Sequence, residues 1–487
     1  MPATQSASAD ADRKVGAGTR LLFGLGSIAF GIKDNGFQTI LLIFYNQVIG
    51  LPAATVGGVI LIALFLDAFI DPVVGQISDN LRTPLGRRHP FMYASAIPLG
   101  LSYLLLWNPP HASQGLQILY LLGVSIIVRA CIALYEAPSQ ALAPELTTDY
   151  AERTSLLGYR VFFAWFGGLA MYFLAFAVLL KPDAAHPVGQ LNPVGYSKYG
   201  LVAGAAMTAS ILISALGTHS RIKSFSAPAH RPKGQHQPLQ EMFAALSHRS
   251  FLAVLASNLF SAAATGLAFS MTIYFYTYFW TLSATQIAIF AVVNLISAAI
   301  AVPLARFFSK HNKRRSTVIL FVSGLVVSCV PMILRLLGEF PQNGAPALYP
   351  LLLSFSLVGL APMIAASMLG YSMIADVVED NLLRTGRRSE GVYFAANSFV
   401  QKAISGLGVF LTGVLLAIVH FPQTAHLRPG AGVDPTIVRN LALLYLPTVV
   451  ALYLIAMAFL TGYRITRETH EANLQKLATP QKQSAAL

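Results

Sequence analysis

Residues 56–78 read VGGVILIALFLDAFIDPVVGQIS, a run whose only ionisable side chains are Asp67 and Asp71. The run exceeds the roughly 20 apolar residues that carry an α-helix across a bilayer. It lacks the apolar/polar alternation of a membrane barrel strand. It reads as a membrane-spanning helix. Asp67 and Asp71 lie four residues apart, slightly more than one turn, so both leave the same helix face. A carboxylate at the bilayer centre costs about 2.5 kcal/mol or more. A pair kept on one face suits a site that takes up and releases a cation or a proton.

The rest of the chain repeats this texture. Hydrophobic residues make up 55% of the 487 and charged residues 11%, where a soluble domain carries about 25% charged residues. About twelve long apolar runs are centred near residues 30, 62, 100, 128, 167, 208, 265, 297, 326, 360, 405 and 450. They predict an all-α membrane protein. Residues 1–15, MPATQSASADADRKV, are polar and have no apolar core, so no signal peptide is expected there. Cys131 and Cys329 fall in different apolar runs and are expected as buried free thiols.

The net charge of +13 is not spread evenly. Lys and Arg gather in alternate loops: Arg82, Arg87 and Arg88; Arg153 and Arg160; Arg221 to Arg249; Lys310, Lys313, Arg314 and Arg315; Arg384, Arg387 and Arg388. Intervening loops such as WNPPHASQG at 107–115 carry no positive charge beyond histidine. This is positive-inside asymmetry, not a nucleic-acid surface. It predicts that both termini are cytoplasmic.

The longest basic loop divides the runs six and six. The expected organisation is a disordered cytoplasmic tail (1–17), a six-helix bundle (18–218), a cytoplasmic linker (219–249), a second six-helix bundle (250–464) and a cytoplasmic tail (465–487). The halves echo each other: PELTTDYAERTSLLGYRVFFAWFGGLA follows the fourth run, and ADVVEDNLLRTGRRSEGVYFAANSFVQKAISGLG follows the tenth. A parallel repeat of six-helix halves is the layout of major facilitator carriers. SDNLRTPLGRRHP joins runs two and three, with Asp79 at one helix end and Arg87 and Arg88 before the next. Arginines there can bond exposed carbonyls and the neighbouring acid, which points to a cytoplasmic gate.

Several segments together resemble the glycoside–pentoside–hexuronide:cation symporter family, of which melibiose permease is the type. They are GIKDNGF, LDAFIDPVVG, LYEAPSQALAPELTTDYAERTSLLGYR, MIADVVEDN and NSFVQKAISGLG, in that order between residues of about 20 and 463. The resemblance implies a major facilitator fold of about twelve helices. It also implies symport of a sugar-like solute with a proton or sodium ion. Asp67, Asp71 and Glu136 match the family's cation-site acids and would be the metal ligands if the cation is sodium. A cluster of three carboxylates would raise at least one pKa. Lys33 and Asp34 match a pair in the first helix, with Asp34 at a sugar-binding position. Lys402 matches the family's lysine in the eleventh helix and is expected to face Asp67 or Asp71 as a coupling group. Asn397 and Ser398 would add neutral hydrogen bonds. Arg160 stands one position from a sugar-binding arginine of the family.

The departures are informative too. Ile70 and Ala133 replace an amide and a hydroxyl of the melibiose-type pattern. Hard cations want several oxygen ligands, so the balance leans toward a proton. Gln140 stands where a stacking tryptophan would be, leaving Tyr135 or Tyr393 as aromatic substitutes. Arg129, seven residues before Glu136, has two readings: it binds an anionic solute such as a uronide, or it neutralises Asp34.

No H-E-x-x-H, G-x-S-x-G or P-loop pattern is present, and no filter-like ring stands out, so an embedded enzyme or a channel is disfavoured. An amphipathic lipid or organic-anion carrier on the same fold is the alternative. The expected partners are the bilayer and a small solute, with no nucleic acid and no cofactor beyond the coupling cation. A monomer in a bacterial-type inner membrane is expected.

Overall fold

The computed structural model describes residues 15–147, 149–220, 249–385, 390–423, 433–465 and 468–469. Regular structure among them is helical throughout. The first traverse is composite. It runs through Ala17–Leu25 and Ser27–Asn35, then a π-helical turn at Gly36–Ile40, a single turn at Leu41–Ile43 and a second π turn at Phe44–Val48. The second to sixth spans are Ala53–Asn80, His89–Leu106, Gln114–Leu146, Tyr150–Leu174 and Pro193–His219. The seventh to twelfth are Arg249–Tyr274, Ala284–Ser309, Lys313–Leu337, Leu348–Thr385, Glu390–Ile418 and Pro435–Leu460.

Ten of these helices are long and apolar enough to cross a membrane. The protein is an integral membrane protein. The first traverse falls short of that measure because it is broken into short pieces. The third has only 18 residues and begins at His89. The second span shows an apolar surface on its exposed side. Ile62, Phe65, Phe69 and Val73 are exposed large hydrophobics along one stripe, while Val56, Ile60, Ala63, Leu64 and Asp67 are buried. In a soluble protein that stripe would be polar.

Helix starts follow capping chemistry. The Asp149 carboxylate accepts from the Glu152 N–H at 2.7 Å, Asn192 caps a span that begins with Pro193, and Asn312 accepts from the Arg315 N–H. Small residues set the closest packing. A Cβ on Gly31 would collide with the Ala164 carbonyl, and Gly100 and Gly204 interlock in the same way. Both cysteines are buried free thiols.

The chain divides into two compact units. The first takes the described residues of Met1–Arg231, Gly266–Val292 and Ser405–Val438, and the second those of Pro232–Thr265, Val293–Ile404 and Arg439–Leu487. Parts of the seventh and eleventh spans therefore belong with the first six. There, Tyr274 Oη donates to Asn46 Oδ1 at 3.0 Å, Tyr278 Oη to Gln47 Oε1 at 2.8 Å, and Gln47 Nε2 to the Pro422 carbonyl at 3.1 Å. The second unit is built on Phe251, Met373, Ile374, Val377, Tyr393 and Tyr463. The expected linker lies almost entirely outside the described residues, as do residues 1–14 and most of the C-terminal tail.

Candidate functional site

The second and fourth spans bring Asp67 and Arg129 together. Arg129 Nη1 donates to Asp67 Oδ2 at 3.0 Å, with the two side chains 1% and 5% exposed. The Phe37 ring covers the guanidinium, 4.4 Å from its centre. Asp34 and Asp71 act electrostatically on the same guanidinium. Among the described residues, Asp67 Oδ1 and Arg129 Nε have no hydrogen-bond partner. The pair is thus single-pronged, not a bidentate fork.

One helical segment further along the fourth span, Glu136 has its own arginine. Arg160 Nη2, from the fifth span, lies 2.9 Å from Glu136 Oε1. Arg160 Nη1 donates to Ser139 Oγ at 2.7 Å, and Phe23 lies 5.3 Å from the guanidinium carbon. Gln140 donates to Glu136 Oε1 at 2.7 Å from one turn away. Lys33 is buried against Phe30, with Asp34 Oδ1 at 3.8 Å. Asp34 itself is 40% exposed and accepts from Gln38 Nε2 at 2.8 Å. Asp71 is half-buried. The first unit therefore sets the partly exposed carboxylates of Asp34 and Asp71 beside the buried Asp67–Arg129 pair and the part-buried Glu136–Arg160 pair.

Several expectations change in this geometry. Asp67, Asp71 and Glu136 are not gathered into one carboxylate cluster. Two of the three are paired to separate arginines, and no group of three His, Cys, Asp or Glu side chains among the described residues could hold a metal ion. The hydrogen-bond partner of Arg129 is Asp67, where the sequence suggested Asp34 or an anionic solute. Spacing along one helix says nothing of the contact Arg129 makes with the second span. Tyr135 and Tyr393 are buried, Tyr135 hydrogen-bonded to Ser214 and Tyr393 edge-on to Phe251, so neither presents a face for stacking.

In the second unit, Asn258 Nδ2 donates to Asn397 Oδ1 at 2.9 Å, and Asn397 is buried. Ser398 is exposed and Lys402 half-buried. Asn258 carried no signal in the sequence beyond being polar within an apolar run.

The loop after the second span forms an ionic lock. Arg88 reaches Asp79, Glu145 Oε1 at 3.2 Å and Ser78 Oγ at 2.7 Å, and Arg87 reaches the same Glu145 oxygen at 2.8 Å. Glu145 was not singled out from sequence, although it sits in the acidic stretch of the internal echo. The echo has a counterpart in the second unit. Lys313, opening the ninth span, donates to both Asp376 oxygens at 2.6 and 2.8 Å, and Tyr463 Oη donates to Asp376 Oδ2 at 2.9 Å. Arg387 and Arg388 lie outside the described residues.

Comparison with known proteins agrees with this architecture. The profile of the family described as "MFS/sugar transport protein" matches residues 22–467. An "Uncharacterized symporter" of Synechocystis sp. is 27% identical, with 85% of this chain and 87% of that protein covered. The "Isoprimeverose transporter" of Lactiplantibacillus pentosus is 24% identical, covering 85% and 83%. Among solved structures, the inward open xylose transporter XylE from E. coli superposes with a TM-score of 0.61 at 15% identity, covering 94% of this chain and 98% of that one. That similarity speaks to the fold.

Proposed function

The chain belongs to the MFS/sugar transport protein family, and on that premise we propose that it is a secondary active transporter. It moves a sugar or glycoside in symport with a monovalent cation by alternating access, with no chemical change to its cargo. The observation that carries this reading is the row of ionisable groups kept inside spans one, two, four and five: Lys33, Asp34, Asp67, Asp71, Arg129, Glu136 and Arg160. Groups this costly to hold in a membrane mark solute and ion pathways. Relatives named as a symporter and as an isoprimeverose transporter support a sugar-like cargo.

The roles divide by exposure. Asp34 presents a carboxylate that accepts hydrogen bonds from sugar hydroxyls, and Gln140 adds an exposed amide. A site built to bond hydroxyls rejects analogues that lack them. Asp71 is the half-buried acid that takes up the coupling cation, and neutralising it favours the solute-ready state. Ile70 and Ala133 offer no oxygen ligands, which favours a proton. Lys402 is the coupling residue of the eleventh span. The setting is a bacterial-type inner membrane, with the Arg87–Arg88 loop and both termini on the cytoplasmic side.

The test is uptake of a panel of radiolabelled pentosides, hexosides and hexuronides into inverted and right-side-out vesicles. The expected result is accumulation of at least one sugar, driven by an imposed pH gradient and collapsed by a protonophore. A panel that equilibrates but never accumulates would overturn symport.

A further inference from the structure

We propose that Arg129 is a tethered cation: its guanidinium takes the position at Asp67 that an alkali metal ion would need, and so makes the carrier blind to sodium. The inference rests on the symporter reading for its meaning, but its geometry stands apart from any cargo.

Three observations converge on it. First, Asp67 Oδ2 already faces a full positive charge 3.0 Å away, and both side chains are buried. A metal ion bound to that carboxylate would sit against the guanidinium, and like charges repel most strongly where water is excluded. Second, beyond the Asp71 carboxylate, the other expected ligands are engaged or absent. Glu136 is held by Arg160 and Gln140, and the residues between the two acids of the second span are Ala68, Phe69 and Ile70. A hard cation needs several oxygens and finds too few. Third, the pair is single-pronged. Asp67 Oδ1 and Arg129 Nε have no hydrogen-bond partner among the described residues. Asp67 thus has a second oxygen that is buried and makes no hydrogen bond among the described residues. Removing the guanidinium would expose a carboxylate with two oxygens to a mobile cation.

The competing role for Arg129, a clamp on an anionic solute, asks a substrate carboxylate to reach a side chain that is 1% exposed and covered by Phe37. The geometry favours the internal role.

The experiment uses the full-length protein purified in detergent, with 22Na+ as the probe and no solute present. Wild type is expected to retain no 22Na+ above the Asp67→Asn/Arg129→Gln double variant. Arg129→Gln, which supplies an amide oxygen in place of the charge, is expected to retain 22Na+ in a form displaced by lithium. In the same variant, sodium should tighten binding of any accepted glycoside by roughly 5- to 150-fold, the ordinary range of site coupling. Sodium retention by wild type that disappears in Asp67→Asn overturns the proposal, and so does a folded Arg129→Gln that retains none. If Arg129→Gln does not fold, Arg129→Lys replaces it. The lysine keeps the charge and is expected to stay sodium-blind, and sodium retention by it overturns the proposal. Tighter uronide binding by wild type than by Arg129→Lys, with sodium retained by neither, would assign Arg129 to the solute and also overturn it. Failure of the glycoside panel leaves the 22Na+ result intact, so the two readings fail separately.

Discussion

The two units repeat one kind of ionic lock but differ in what their spans hold. Glu145, near the end of the fourth span, is held by Arg87 and Arg88 from the connection between the second and third, and Asp376 of the tenth span is held by Lys313 at the start of the ninth. Inside the spans the resemblance stops. The first unit keeps Lys33, Asp34, Asp67, Asp71, Arg129, Glu136 and Arg160. In the second, the contacts within the bundle include neutral pairs such as Asn258 with Asn397 and Thr265 with Tyr453, and Lys402 stands as the mid-span charge of its helix. A lock of this kind recurs in both units, while the arginine–carboxylate pairs described inside the spans lie in the first. Variants confined to one unit test this contrast.

The largest effect is expected at Asp67. Asp67→Asn strands the Arg129 guanidinium in a sealed pocket, and breaking a buried pair from one side costs roughly 3–5 kcal/mol. Thermal unfolding in detergent should fall sharply and uptake should be lost. The Asp67→Asn/Arg129→Gln double variant should be more stable than Asp67→Asn alone, since it removes the stranded charge. A double variant as unstable as the sum of the singles would show that the pair is not what holds this part of the first unit.

Asp71→Asn should separate transport from folding. Asp71 is half-buried, so its stability should stay near wild type. Accumulation against a gradient should disappear, because an amide cannot change charge, while exchange of labelled for unlabelled solute persists. Concentrative uptake by Asp71→Asn would remove it from the coupling role. In the second unit, Lys402→Ala should also abolish accumulation, measured in the same vesicles. Wild-type accumulation by that variant would confine the ionic mechanism to the first unit altogether.

The sequence made the spans legible because apolar length is a local property. It did not show that the first traverse breaks into π-helical turns or that parts of the seventh and eleventh spans join the first unit. The second depends on contacts between distant segments, such as Gln47 with Pro422. The ionisable residues of the site were legible as residues, since a charge in an apolar run is conspicuous. Their partners were not. Arg129 and Asp67 are 62 residues apart in sequence, and helix periodicity says which face a side chain leaves but not which helix it meets. The same limit explains Arg160, whose offset from the family pattern gave no hint that it would meet Glu136 and Ser139.

The smallest effects, and the finest test of the contrast, lie at the two locks. In the second unit, Lys313 donates to both oxygens of the buried Asp376 carboxylate, and Tyr463 donates to one of them. Lys313→Ala should therefore cost about 3 kcal/mol, close to the lower end for breaking a buried pair. In the first unit, Glu145 is shared. Arg88→Ala leaves Arg87 on the same carboxylate oxygen, so the acid keeps a charge partner and the loss should be about 1–2 kcal/mol, the scale of charged hydrogen bonds. Redundancy of this kind has a signature. The Arg87→Ala/Arg88→Ala double variant should lose more stability than the two singles combined, because only the double leaves Glu145 without either arginine, and residues sharing one partner are not additive. Thermal unfolding of the four variants in one detergent measures all of these differences. Strict additivity in the first unit, or an Arg88→Ala cost equal to that of Lys313→Ala, would mean that the two locks are equivalent and that the asymmetry between the units begins deeper in the membrane.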